Sequence, residues 1–140
     1  PIDCVTVKEL RIDAPHKIVP ANEIPADEMA IDIGPQSINS ISKKLQSCKT
    51  LLWNGPMGVF EIKPFDTGTN ALAREAARLT KENGLVSVAG GGDTTAALEN
   101  AGCSDQFTYI STAGGAFLEW LEGKTLPGIA ALDPSNKKAA

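Results

Sequence analysis

The stretch Leu85-Val86-Ser87-Val88-Ala89-Gly90-Gly91-Gly92-Asp93-Thr94-Thr95-Ala96-Ala97-Leu98 constrains this chain more than any other. Its first five residues are mostly apolar β-formers and predict a buried strand. Three glycines follow. Asp93 or Thr94 then stands where a cap is needed for a helix through Ala96, Ala97 and Leu98. A helix N-terminus presents unpaired N–H groups and the positive end of the dipole, and glycines let an anion approach that backbone. Such a unit suits a phosphate. It is neither a P-loop, which ends in Gly-Lys-Ser/Thr, nor the dinucleotide fingerprint, which needs a third, spaced glycine. An aspartate beside a phosphate repels it unless a cation lies between them, and Mg²⁺ is held by one or two carboxylates plus substrate phosphates. Two readings follow: a Mg-nucleotide site with Asp93 as metal ligand, or a glycine turn that lets helix and strand pack closely.

The rest of the chain supplies companions to this unit. Short strands are expected at Cys4–Val7 and Lys17–Val19, with an irregular acidic segment from Pro20 to Met29. His16 is expected in a surface loop. Ile31 to Ser37 leads into a helix, with Pro35 in its first turn and Ser37 as a candidate cap. Ile38, Ile41 and Leu45 recur at helical spacing. Thr50–Trp53 is the next strand. A long helix starts at Asp66-Thr67-Gly68-Thr69, buries Leu72, Ala76 and Leu79, and ends at Gly84 as a left-handed cap. After the opening unit, Gly102 closes its helix and Phe107–Ser111 is a further strand. Thr112-Ala113-Gly114-Gly115-Ala116 is a second small-residue turn into a helix that turns Phe117, Leu118 and Leu121 inward and stops at Gly123. Leu126–Leu132 is expected to pack back as a last apolar segment. Strands alternating with helices predict an α/β fold: a parallel sheet with helices on both faces. Residues 1–132 form part of one domain, and 133–140 a polar tail.

In open parallel sheets ligands bind beyond the carboxyl ends of the strands. The loops starting at Asn54, Gly90 and Thr112 each follow a strand, so all three are expected on one sheet edge, with two helix N-termini aimed into one crevice suited to a polyphosphate. In the first loop, Asn54 can bond a phosphate or order a water, Pro56 and Val59 offer an apolar surface to a base, and Glu61 can accept from two ribose hydroxyls. The alternative is a Gly-Pro turn with Asn54 stabilising its own loop and Glu61 merely exposed. None of the three loops, taken as Asn54–Glu61, Gly90–Thr94 and Thr112–Ala116, carries Lys or Arg. Phosphoryl transfer needs fixed cations or donors on the moving group, so the remaining charge is expected from elsewhere. Arg74 and Arg78 are expected on the helix surface, and no Ser/His/Asp or Cys/His nucleophile pair is visible.

Composition closes other classes. A net charge of −4, no basic run and 5% aromatic residues argue against nucleic-acid binding. Cys4, Cys48 and Cys103 are too scattered for a disulfide framework or zinc site, which points to a reducing, cytoplasmic setting. No signal peptide or membrane span is visible. The chain opens on Pro1 just before a strand, as part of a longer protein would.

Trp53-Asn54-Gly55-Pro56-Met57-Gly58-Val59-Phe60-Glu61, Gly90-Gly91-Gly92-Asp93-Thr94 and Ser111-Thr112-Ala113-Gly114-Gly115-Ala116 resemble, in order and spacing, the carboxyl-terminal half of phosphoglycerate kinase. Asp32-Ile33-Gly34-Pro35, Leu121-Glu122-Gly123-Lys124 and Leu126-Pro127-Gly128 are similar to that family too. The resemblance runs from Pro1 to about Leu132. It implies a Rossmann-like nucleotide lobe of a glycolytic kinase moving a phosphoryl group between 1,3-bisphosphoglycerate and ADP with Mg²⁺. Carried over, Glu61 would hold the ribose, and Pro56 and Val59 would line the adenine pocket. Asn54 would lie near the phosphates. Asp93 would bind Mg²⁺, Thr94 with Gly90, Gly91 and Gly92 would contact the β- and γ-phosphates, and Gly114 and Gly115 would face the transferring phosphoryl with Gly92. One departure is Ala113, where the family commonly has a glycine. The resemblance also implies a missing amino-terminal domain with the basic 3-phosphoglycerate site, and missing lysines and an adenine-side glycine pair. The chain alone is therefore expected to be inactive, and the intact protein monomeric, without nucleic-acid or membrane partners. The rival readings are a non-catalytic nucleotide-binding module and an α/β oxidoreductase domain; the latter lacks the acidic residue beyond a true fingerprint.

Overall fold

The computed structural model describes residues 1–133, so the expected polar tail, Asp133 apart, lies outside the described residues. Two three-stranded sheets organise the chain. The first is built from β1 (Asp3–Val7), β2 (His16–Pro20) and β3 (Met29–Ile33), in the order β2-β1-β3. Both of its pairings are antiparallel, with a register shift between Val5 and Thr6 against β3. The second contains β4 (Thr50–Asn54), β5 (Val86–Gly90) and β6 (Tyr109–Ser111), all parallel, in the order β4-β5-β6. The helices are α1 (Pro35–Leu45), α2 (Thr67–Asn83), α3 (Gly92–Asn100), α4 (Gly114–Leu121) and α5 (Pro127–Leu132), with one 3₁₀ turn at Ser104–Gln106.

The parallel sheet flanked by helices is the α/β arrangement that alternation predicts. The antiparallel sheet is not, because β3 was hidden. Its apolar run is broken by Asp32 and flows into α1 through Gly34-Pro35, so Ile31–Ile33 reads as a helix lead-in. His16, expected in a loop, opens β2, although its side chain is exposed as expected.

The main core lies between the parallel sheet and its helices. Trp53 and Ala89 from the strands meet Leu72, Ala73, Ala76 and Ala77 of α2 and Leu98 of α3. The alanines let α2 approach closely while Arg74 and Arg78 stay exposed. Fully burying a leucine such as Leu72 or Leu98 is worth about 1.5–3 kcal/mol. Ile38 and Ile41 of α1 pack on this core, as their spacing predicts. α2 ends at Gly84 with φ 68°. A separate cluster of Val7, Ala14, Ile31 and Phe65 underlies the antiparallel sheet. The last segment does not pack back: Ile129 is 62% and Leu132 80% exposed, and Leu121, expected inward, is 47% exposed. Both α4 and α5 are too short to cover a full apolar stripe.

Helix starts are capped from a distance. Ser37, expected as the cap of α1, lies inside its first turn and points its hydroxyl to β1, donating to Asp3 Oδ1 (2.7 Å) and accepting from Ile2 N (2.8 Å). The cap is Asp3, whose carboxylate accepts from Ser37 N (2.8 Å) and Gln36 N (3.1 Å). On α2 the same role falls to Asp32, which accepts from Gly68 N (2.8 Å) and Ile33 N (2.8 Å). The adjacent Asp66 instead accepts from Asn70 Nδ2 (2.8 Å). Burial works to raise the Asp3 carboxyl, but the Ser37 hydroxyl and the Ser37 and Gln36 N–H groups outweigh it and hold it below the usual range. Burial wins at Asp32, with a smaller push from Asp66, and raises that carboxyl despite its two N–H donors.

Replacing Asp3 by Asn is expected to cost about 2 kcal/mol at neutral pH, the worth of hydrogen bonds to a buried charge. Because the Asp3 pKa is depressed in the fold, its contribution is present above the unfolded value of about 3.9 and is lost as pH falls through the lower folded value. Denaturant titrations of both proteins should show the gap narrowing only below about pH 4.

Candidate functional site

The parallel register places the chemistry. Asn54 pairs with Gly90, and Gly90 with Ser111, so the ends of β4, β5 and β6 stand level. The three loops therefore leave one sheet edge side by side, as their positions after strands predict.

Gly91 is the pivot. It precedes α3 with φ 103° and ψ 149°, a conformation essentially reserved for glycine. Gly91 N donates to Ser111 O (3.0 Å), which ties this turn to the end of β6. The first intrahelical bond of α3 runs from Thr95 N to Gly91 O (3.0 Å). The N–H groups of Gly92, Asp93 and Thr94 thus have no intrahelical partner, and Gly92 and Asp93 are exposed. Neither Asp93 nor Thr94 caps α3: both lie within its first turn, Asp93 free to face a ligand and Thr94 buried. Thr94 Oγ1 accepts from Gly55 N (2.7 Å), which fastens the Asn54 loop to α3.

The second helix N-terminus adjoins the first. A Cβ on Gly114, the first residue of α4, would lie 2.5 Å from Gly91 Cα and 2.6 Å from Gly91 N. Only backbone fits between the two turns. Gly90 is also tightly packed, though less so, since its Cβ would come 3.1 Å from the Phe117 ring. Gly115 is exposed. Ala113 has φ −96°, so its methyl meets no left-handed backbone. Two dipole ends, each about half a positive charge, are therefore set against one another at the sheet edge.

Asn54 ends β4 with an exposed side chain, near enough to this turn that a Cβ on Gly91 would be 3.8 Å from Asn54 Oδ1. Asn54, Gly90, Gly91, Thr94 and Gly114 are thus brought together, with Gly92, Asp93 and Gly115 on the exposed first turns. Pro56 and Val59 line a separate cavity of about 390 Å³ with Ala30, Ile33, Met57 and Gly58. Val59 N donates to Ile31 O (2.9 Å), and its side chain packs against the antiparallel-sheet cluster. Glu61 is exposed in the turn beyond. Sequence reasoning missed Ala30, which no motif marks, the role of Asp32, whose motif Asp32-Ile33-Gly34-Pro35 does not say what the carboxylate bonds, and Thr69, hidden in a polar helix start. A lone carboxylate inside an apolar run was the available signal for Asp32, because buried charges need partners.

Asn54–Glu61, Gly90–Thr94 and Thr112–Ala116 carry no Lys or Arg; Lys63 lies further along the connection from β4 to α2. Arg78 of α2 is engaged with Glu75 (2.8 Å) and Glu82 (2.7 Å) on the helix surface. Among the described residues no three His, Cys, Asp or Glu side chains converge on a metal position. Asp93 is a single exposed carboxylate, a donor set that suits Mg²⁺ completed by waters and ligand phosphates rather than a closed protein cage. Among the described residues no helix is long and apolar enough to cross a membrane.

Comparison with known proteins gives a consistent outcome. The family described as Phosphoglycerate kinase matches residues 1–124. The phosphoglycerate kinase of Rhodospirillum centenum is 58% identical over 132 residues, covering 94% of this chain and 33% of the relative. That of Agrobacterium fabrum is 59% identical over 132 residues, with the same coverage of 94% and 33%. The structure of phosphoglycerate kinase from Coxiella burnetii superposes with a TM-score of 0.84 at 44% identity, covering 94% of this chain and 33% of that one. The chain spans about a third of the length of the curated relatives it matches.

Gly114→Ala should be destabilising by about 1–3 kcal/mol through overpacking against Gly91, whereas Gly115→Ala, with open space around it, should fall within about 0.5 kcal/mol of the parent. Thermal melts of the two variants compare them directly.

Proposed function

The chain belongs to the phosphoglycerate kinase family, and from this we propose that it supplies the Mg-nucleotide half of that family's active site, its carboxyl-terminal part. The intact protein transfers a phosphoryl group between 1,3-bisphosphoglycerate and ADP. A β-phosphate oxygen of ADP attacks the acyl phosphate, the P–O bond to the acyl carbon's oxygen breaks, and 3-phosphoglycerate leaves as its carboxylate. The observation that supports this reading best is the level alignment of Asn54, Gly90 and Ser111 with two helix N-termini in backbone contact beyond them.

Each group then has a task. The free N–H groups of Gly92, Asp93 and Thr94 donate to nucleotide phosphate oxygens, with Gly90 and Gly91 allowing close approach. Gly114 and Gly115, at the start of α4, aim a second dipole at the moving phosphoryl, together with Gly92. Transfer spreads charge over the equatorial oxygens, so fixed donors preorganised there stabilise it without reorganisation. Asn54 bonds a phosphate oxygen from the end of β4. Pro56 and Val59 line the base pocket, for which the cavity they share is of suitable size, and Glu61 accepts from the ribose. Thr94 contributes its N–H, while its hydroxyl oxygen accepts from Gly55 N and so fastens the Asn54 loop. Mg²⁺, when bound through Asp93, neutralises phosphate charge. The 3-phosphoglycerate site and the remaining cations lie in parts of the protein outside this chain, so residues 1–132 act as part of a nucleotide domain and are inactive alone. The intact enzyme is a cytoplasmic monomer without nucleic-acid or membrane partners.

The test is made on the intact protein. It should transfer phosphoryl groups between ATP and 3-phosphoglycerate, while the 140-residue chain should not. Asp93→Asn should weaken Mg-ADP binding about tenfold or more by calorimetry, as loss of a charged partner implies. Tight Mg-ADP binding by the intact protein without any transfer to 3-phosphoglycerate would show a binding module instead.

A further inference from the structure

The segment from Gly55 to Val59 has no regular structure of its own, yet its alternate N–H groups are all engaged, each by a different element. Gly55 N donates to Thr94 Oγ1 on α3 (2.7 Å), Met57 N to Thr69 Oγ1 on α2 (3.0 Å), and Val59 N to Ile31 O on β3 (2.9 Å). Pro56, between the first two, has no N–H. Gly58, between the last two, lies against β3 so closely that a Cβ would come 2.5 Å from Asp32 Oδ1 and 2.6 Å from Ile31 O. Thr69 is fully buried, at 0% exposure, and belongs to α2, which carries none of the residues assigned to the ligand.

We propose that Thr69 is a positioning residue for the base side of the nucleotide site: its hydroxyl fixes Met57 and so sets the spacing of Pro56 and Val59 across their shared cavity. The inference rests on the nucleotide reading above. Of the three N–H anchors, the one at Val59 is backbone and survives any side-chain change, and the one at Gly55 belongs to α3, which carries the phosphate donors; Trp53 Nε1 adds a bond to Gly55 O at that same end. Thr69 is the hydrogen-bond partner of the Met57 N–H at the middle of the segment, and it acts from α2, which carries no donor to the phosphates. Removing its hydroxyl loosens the apolar walls and leaves the α3 and α4 turns as they are. Its effect therefore divides by ligand: a nucleotide feels it, and a bare polyphosphate does not.

Calorimetry on the intact protein, well below its melting temperature, tests this with Mg-ADP and with Mg-tripolyphosphate as ligands. Thr69→Val keeps the shape without the hydroxyl, Thr69→Ala removes hydroxyl and methyl, and Thr69→Ser keeps the hydroxyl. Val and Ala variants should bind Mg-ADP about fivefold more weakly, the worth of one hydrogen bond, with tripolyphosphate affinity unchanged and Ser close to the parent. A purely structural role lowers the melting temperature and leaves both affinities alone, and that outcome overturns the proposal. Equal weakening of both ligands overturns it too. Failure of the unaltered protein to bind Mg-ADP at all would instead overturn the nucleotide reading on which it rests.

Discussion

Two buried carboxylates on one small sheet hold the starts of two helices that belong to the other. Asp3 on β1 and Asp32 on β3 are 2% and 4% exposed; Asp3 accepts two N–H groups from the first turn of α1, and Asp32 one from the first turn of α2. A carboxylate taken out of water is costly unless it is hydrogen-bonded, and a helix N-terminus supplies both donors and a favourable field. Each interaction thereby removes two liabilities at once: unpaired N–H groups on the helix and an unpaired charge on the strand. It also joins the halves of the chain, since α1 and α2 contribute to the core on the parallel sheet while β1 and β3 form the antiparallel one. The two sites differ in electrostatic balance. Asp3 is so well provided with donors that ionisation is favoured, whereas Asp32, with Asp66 nearby, is held towards the protonated form. Acidification therefore weakens one joint and relieves the other.

The candidate site inherits its rigidity from this scaffold. Asp32 occupies the space between Gly58 and Gly68, so the loop after β4 and the start of α2 close upon the same carboxylate. From there the loop is carried to α3, where Thr94 receives it. Side chains from α2, α3 and β3 thus converge on a segment that would otherwise have to be ordered at the expense of ligand affinity. The scaffold accounts for most of the buried polar groups near the site, and the site's own donors remain in the exposed first turns.

How much of this was legible in the sequence depended on whether the cause was local. The strand–turn–helix unit at Leu85–Leu98, the stripe Leu72, Ala76 and Leu79, and the left-handed end at Gly84 are set by neighbours in the chain, and the structure has them where the residues put them. Convergence of the Asn54, Gly90 and Thr112 loops followed from strand direction alone. The caps were not legible. Ser37, Asp93 and Thr94 have the right chemistry at the right offset, but Asp3 and Asp32 arrive from more than thirty residues away, and Gly91 takes the cap position by conformation rather than by side chain. β3 was obscured for the same reason: the charge that interrupts its apolar run makes sense only beside a helix that the local sequence does not contain. At the site, Asn54 and the glycine turns could be named from sequence, whereas Thr69 could not, since a threonine in a polar helix start is ordinary until its partner is known.

The contact between Gly91 and Gly114 has an electrostatic side. Two helix N-termini brought to backbone contact are two like partial charges in mutual repulsion, with the Asp93 carboxylate on the first turn of α3 as a nearby opposite charge. The fold is held against this repulsion by the sheet register and by the packing of Phe117 over Gly90. An anion seated between the two turns turns the repulsion into two attractions directed at one point. On the proposed reading such an anion would act as a clasp, and by mass action its binding would add to the stability of this sheet edge.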